Sequence, residues 1–162
     1  MVFVCVAGIA QSGISVPDKA MQNFASNCFS PYLTATKAAK RLVTLGVRSE
    51  FYDLDPFSSV PPSPVTGREA SVGTDRRCEV AFNGNYATRA AKTAADALIR
   101  QGIETRADLP TNYAPTDGTE LLAARQLNPR RIAVVHVGTR QGPEGIETFM
   151  TVERLTPSEL NN

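Results

Sequence analysis

The sequence has no tryptophan, a single histidine, and only 7% aromatic residues. One histidine excludes His-Glu-x-x-His and every other zinc motif that needs a histidine pair. Sparse aromatics argue against a stacking platform for bases or sugars. Also missing are a Gly-x-Gly-x-x-Gly dinucleotide loop, a Gly-x-x-x-x-Gly-Lys-Ser/Thr phosphate loop and a Gly-x-Ser-x-Gly nucleophile elbow. These absences remove most common enzyme classes and imply no cofactor. Charge of one sign is lacking too: the net is +1, so no global field draws in nucleic acid or an anionic membrane.

Cysteine is scarce, with three residues and no Cys-x-x-Cys or lipobox-like Leu-x-Ala/Gly-Cys. Neither a metal site nor a lipid anchor is indicated. No apolar run reaches the roughly 20 residues that a membrane-spanning helix requires. The longest uncharged apolar stretch, Val2 to Ala10, is instead the size of a signal-peptide hydrophobic region. Gly8-Ile9-Ala10 before Gln11 fits the small-x-small cleavage rule. The basic segment that should precede it is missing, because no Lys or Arg occurs before Lys19. The competing reading is a first buried strand in a cytoplasmic domain. Export is the expectation, to the periplasm or beyond, with residues 1–10 as leader, 17–156 as one domain and no membrane anchor once the leader is cut.

Cysteine arithmetic agrees with export. Cys5 lies inside the leader, so cleavage leaves Cys28 and Cys78 as an even pair. A bridge between them closes a loop of about 50 residues, worth about 4 kcal/mol from the chain entropy it removes.

The 162 residues are enough for one domain with its own core. Pro17 and Asp18 open a helix over Lys19 to Phe29, with Met21, Phe24, Ala25 and Cys28 on one face. Thr34 caps a second helix, Ala35 to Leu45, before Gly46. Strands follow at Val47–Leu54 and Cys78–Phe82. Between them Asp55 to Asp75 is irregular, rich in Pro, Ser and Gly, and either functional or a passive crossing. Asp53, Asp55 and Asp75 around it read as turn formers.

A third helix, Tyr86 to Gln101, carries an alanine stripe that lets it lie close on a sheet, and Gly102 ends it. Thr105 to Pro115 has little periodicity. Glu120 to Leu127 has helix-forming residues, yet its position before Asn128-Pro129 makes it a hairpin strand. Ile132 to Val137 is a β-branched run holding His136. Gly142, Pro143 and Gly145 reverse the chain into a last strand, Ile146 to Leu155. The expected architecture is α+β: an antiparallel sheet with a C-terminal β-meander, and helices packed on one face.

Chemistry concentrates in one constellation. Arg76 and Arg77 enter the Cys78 strand, Arg130 and Arg131 open the His136 strand, and Arg140 follows it. If those strands are neighbours, the arginines gather into a clamp for a carboxylate or phosphate. His136 would then serve as general base of a small hydrolase or transferase acting on an anionic substrate. The plainer reading is a binding or structural module, with an unidentified protein or a small anionic ligand as partner and no catalysis.

Overall fold

The computed structural model describes residues 13–71, 73–111 and 113–156. The leader expected over residues 1–10 and the tail beyond Thr156 lie outside them. Three helices cover one face of a five-stranded antiparallel sheet, with strand order β1-β2-β5-β4-β3. The strands are β1 (Val47–Asp53), β2 (Thr74–Asn83), β3 (Thr119–Asn128), β4 (Arg131–Gly142) and β5 (Gly145–Leu155). The last three form the C-terminal meander, and 119–128 is a strand despite its helix-forming composition. Among the described residues no helix is long and apolar enough to cross a membrane.

Local chemistry sets the helix boundaries. Helix α1 (Val16–Asn27) is capped by Ser15, whose Oγ accepts from Asp18 N at 3.3 Å, with Pro17 in the first turn. Helix α2 (Ala35–Arg41) starts at the Thr34 cap but stops four residues short of the expected Leu45. Val43 and Leu45 are exposed, so no burial holds them helical. The chain instead turns through Gly46 (φ 81°) and the Val47 N to Thr44 O bond.

Helix α3 (Ala87–Arg100) buries Ala87, Ala90, Ala94, Ala97 and Leu98 against the sheet. It ends in a Schellman motif. Ile103 N donates to Leu98 O at 2.9 Å, and Gly102 N donates to Ile99 O at 3.0 Å, with Gly102 at φ 68°.

Strand β2 begins at Thr74, four residues before the expected Cys78. Two adjacent arginines hide the alternation there, because both are buried and paired rather than solvated. Cys28 and Cys78 form a disulfide with Cα atoms 5.5 Å apart, tying the end of α1 to β2. The helix-side core gathers Met21, Phe24, Leu42, Val80, Phe82, Leu98, Val135, Val137 and Met150.

The other face of the sheet is covered by connections. A smaller apolar cluster of Ile132, Val134 and Leu155 packs there under Ala107, Leu109 and Tyr113. The irregular 54–73 segment is pinned rather than passive. Thr66 Oγ1 accepts from Phe51 N at 3.0 Å and donates to Phe51 O at 2.8 Å, standing in for a sixth strand along the β1 edge. Gly67 (φ 76°) follows, so close to Glu50 that a Cβ would lie 1.9 Å from its carboxyl carbon. Any other residue there would be strained by the positive φ and would have to push the Glu50 carboxylate aside.

Candidate functional site

Strands β2 and β4 are not neighbours, because β5 runs between them. The arginines singled out in the sequence therefore do not form one clamp: Arg77 and Arg140 share one cluster, Arg76 and Arg131 belong to another through Asp53, Arg154 and Asp75, and Arg130 stands in a turn. Strand alternation sends Arg76 to the helix side with Cys78 and Val80, and Arg77 to the opposite face. Arg140 joins Arg77 on that opposite face, on the two oxygens of Glu79. Arg130 is exposed in the β3–β4 turn, and Arg131 binds Asp55 at 2.7 Å and Asp75 at 2.6 Å.

On the face away from the helices, successive outward positions of neighbouring strands bring together Arg77, Glu79, Glu147, Thr151, Glu153 and His136, each at most 2% exposed. Glu153 is the hub. It accepts from Arg77 Nη1 at 3.2 Å and from the Tyr113 hydroxyl at 2.5 Å, and lies 3.3 Å from His136 Nε2. Tyr113 also contacts His136 Nε2, while Arg68 approaches from the 54–73 segment at 3.6 Å. Glu79 binds Arg77, Arg140 and Thr151, and Glu147 binds Arg140 and Arg48. With Glu50 beside Arg77, four arginines meet four glutamates.

Burial pushes the Glu153 carboxyl up. The hydrogen bonds from His136 and Tyr113, with Arg68 and Arg77 nearby, overcome that and hold it at about 2. Burial opposes the charge on Glu79 too, and Arg77 and Arg140 outweigh it, so its pKa is also lowered. Tyr113 is shifted up by burial and by the Glu153 charge, which keeps its proton in place. Three buried polar atoms have no hydrogen-bond partner among the described residues: Tyr52 Oη, His136 Nδ1 and Arg77 Nε, the last sitting 3.6 Å from Glu50.

Chemically, this cluster balances its own charge and leaves no arginine in it without a carboxylate. His136 is fully buried and held on Nε2. Sequence alone offered it no partner. Tyr113 supplies one from the stretch without periodicity, and Glu153 from a strand whose charges look solvent-facing.

At the helix-side end of the sheet a second group of charges alternates in sign. Arg76 binds Asp53 at 3.2 Å, the carbonyls of Ser30, Pro31 and Leu33, and stacks over Phe51 at 5.2 Å. Burial lowers its pKa to about 10 despite Asp53. Arg154 bridges Asp53 at 2.7 Å and Asp75 at 2.5 Å, and Arg131 bridges Asp75 and Asp55. The aspartates expected to form turns are thus salt-bridge partners, and Asp53 and Asp75 lie within strands.

Arg76 and Arg154 border a cavity of about 350 Å3 between the 28–32 segment, the end of α3 and the β3–β4 turn. Its walls include Phe29, Ile103, Leu127 and Val152. At the mouth Tyr32 and Phe57, 63% and 72% exposed, meet edge to face with ring centroids 6.4 Å apart. Mostly apolar walls with a small number of polar groups are the usual make-up of a small-molecule site. Among the described residues no group of three or more His, Cys, Asp or Glu side chains is placed to hold a metal ion.

No family model matches the chain, and neither the curated proteins nor the solved structures contain a match.

Proposed function

We propose that this is an exported, disulfide-stapled binding protein that takes a small, largely apolar ligand into the helix-side cavity and performs no chemistry on it. The observation that carries the reading is the cavity itself: about 350 Å3, apolar-walled, with two exposed aromatic rings at its mouth. Apolar side chains left exposed together at the rim of an apolar concavity are a feature of ligand-binding grooves. The Cys28–Cys78 bridge supports an oxidising compartment, where such bonds persist.

The alternative, with His136 as base and an arginine clamp on an anionic substrate, has weaker support. His136 is fully buried, and Arg77 and Arg140 already hold carboxylates. Anion recognition by those two would have to displace a glutamate at close range.

The test uses N-phenyl-1-naphthylamine, a neutral apolar fluorophore, titrated into the folded protein. A saturable one-to-one rise in emission is expected. Phe57→Ser should weaken binding about tenfold, since a partly buried phenyl contributes on the order of 1.5 kcal/mol. Phe57 is exposed, so the variant folds normally. No saturable binding, or binding indifferent to Phe57→Ser and Tyr32→Ser, would overturn the cavity as the site.

A further inference from the structure

The segment after α3 returns along the outer edge of the sheet. Gln126 N donates to Thr105 O at 2.8 Å and Ala107 N to Ala124 O at 3.2 Å, so Arg106 and Arg125 face each other in an antiparallel bridge. Residues opposed in this way project to the same face. Arg125 alternates with Leu121 and Ala123, which belong to the helix-side core, and the arginine pair is therefore on the helix side. Like charges directly opposite one another destabilise a sheet. Among the described residues neither guanidinium has a carboxylate within ion-pair distance. In both faces described above arginines and acids are matched. Here they are not.

Both arginines line a second cavity, of about 290 Å3, whose apolar walls are Leu98, Ile99, Ile103 and Leu121. Glu104 lines it as well, leaving one net positive charge. Ile103 borders this cavity and the larger one alike. The Schellman motif places it there: Gly102 ends α3 and turns Ile103 back towards Leu98. Ile103 thus lines two largely apolar spaces, one bordered by exposed aromatics and the other by two arginines and a single glutamate.

We propose that Arg106 and Arg125 form the head-group subsite for a single-chain carboxylate amphiphile, whose tail passes Ile103 into the larger cavity; this rests on the cavity-binding reading above. A carboxylate is the group that arginine forks hold with two parallel hydrogen bonds. One net charge suits a monoanion. The apolar tail accounts for the hydrophobic residues that line both cavities, with Ile103 common to the two.

The experiment displaces N-phenyl-1-naphthylamine from the full chain with three ligands of equal tail: decanoate, 1-decanol and decyltrimethylammonium. Decanoate should bind at least about tenfold more tightly than decanol, the equivalent of one charge-assisted hydrogen bond, and the cation more weakly than either. Arg106→Gln with Arg125→Gln should bring decanoate to the level of decanol and leave decanol unchanged. Arg106→Gln alone, at an exposed position, should weaken decanoate at least about threefold and guards against misfolding of the double variant. Equal binding of decanoate and decanol to the native protein overturns the head-group subsite while the cavity reading stands. Failure of decanol and decanoate alike to displace the fluorophore overturns both.

Discussion

Arg77 on β2 lies directly across from Glu153 on β5, and its Nη1 donates to Glu153 Oε1 at 3.2 Å with both side chains almost fully buried. Glu79 completes the pairing on the other guanidinium nitrogen. A buried charge whose partner is removed keeps its desolvation penalty and loses its compensation. Arg77→Met should therefore destabilise the fold by about 3–5 kcal/mol in denaturant titration. Arg89→Ala, which breaks an ion pair between two half-exposed side chains, should cost about 1 kcal/mol or less. Combining Arg77→Met with Glu153→Leu should cost less than the sum of the single changes, since these residues are in direct contact. Additive losses would show that the pair is not coupled.

The same hub makes the protein acid-sensitive in a defined window. The Glu153 pKa falls from an ordinary 4.5 to about 2 on folding, so its ionised form stabilises the fold. That contribution is complete above the unfolded value and is lost as pH falls from about 4.5 towards 2. The full shift corresponds to about 3 kcal/mol, and the lowered Glu79 adds in the same direction. Thermal melts should be flat from about pH 7 to 5 and drop steeply below about 4.5. Glu153→Gln should start lower at neutral pH and lose less on acidification. A variant that follows the native profile in parallel would place the acid sensitivity elsewhere.

The parts of this fold readable in the sequence are those governed by local rules. Ile132–Val137 is β-branched and followed by Gly and Pro, and it forms the central hairpin as its pattern requires. The alanine stripe and Gly102 locate α3 and its end for the same reason. The charged cluster was not readable, because Glu79, Glu147 and Glu153 occupy alternate strand positions as solvent-facing residues would. What buries them is tertiary: Thr66, Gly67 and Arg68 fold one connection over β1, and Tyr113 brings another over His136. Cys78 and His136 each lie in strands recognisable from sequence, yet the insertion of β5 between those strands is a matter of topology. The Arg106–Arg125 pair depends on an isolated bridge from a segment without periodicity, so no sequence spacing marks it.

The disulfide joins compartment to stability. The non-reduced protein should weigh about 2 Da less than the reduced one, and the proposed export predicts a mature N-terminus at Gln11. Reduction should lower stability by about 4 kcal/mol, the chain entropy of the loop that the bridge closes across 50 positions. An unchanged mass would reject the bridge. A mature chain starting at Met1 or Val2 would reject the leader.

The hydroxyl of Thr66 gives the most localised prediction. It satisfies both backbone groups of Phe51, at 3.0 and 2.8 Å, on the outer side of an edge strand. An edge with unpaired N–H and C=O groups recruits other strands. Thr66→Val keeps the side-chain shape and removes the hydrogen bonds, leaving two half-buried polar groups without partners at a cost of about 1–3 kcal/mol. Amide exchange should then quicken about tenfold or more at Phe51 and leave Val135, on the interior strand β4, little changed. The variant should also associate at high concentration where the native chain does not, because β1 then offers a free pairing edge. Unaltered exchange at Phe51 would mean that β1 is closed by the rest of the 54–73 segment, with Gly67 and Arg68 sufficient to hold it.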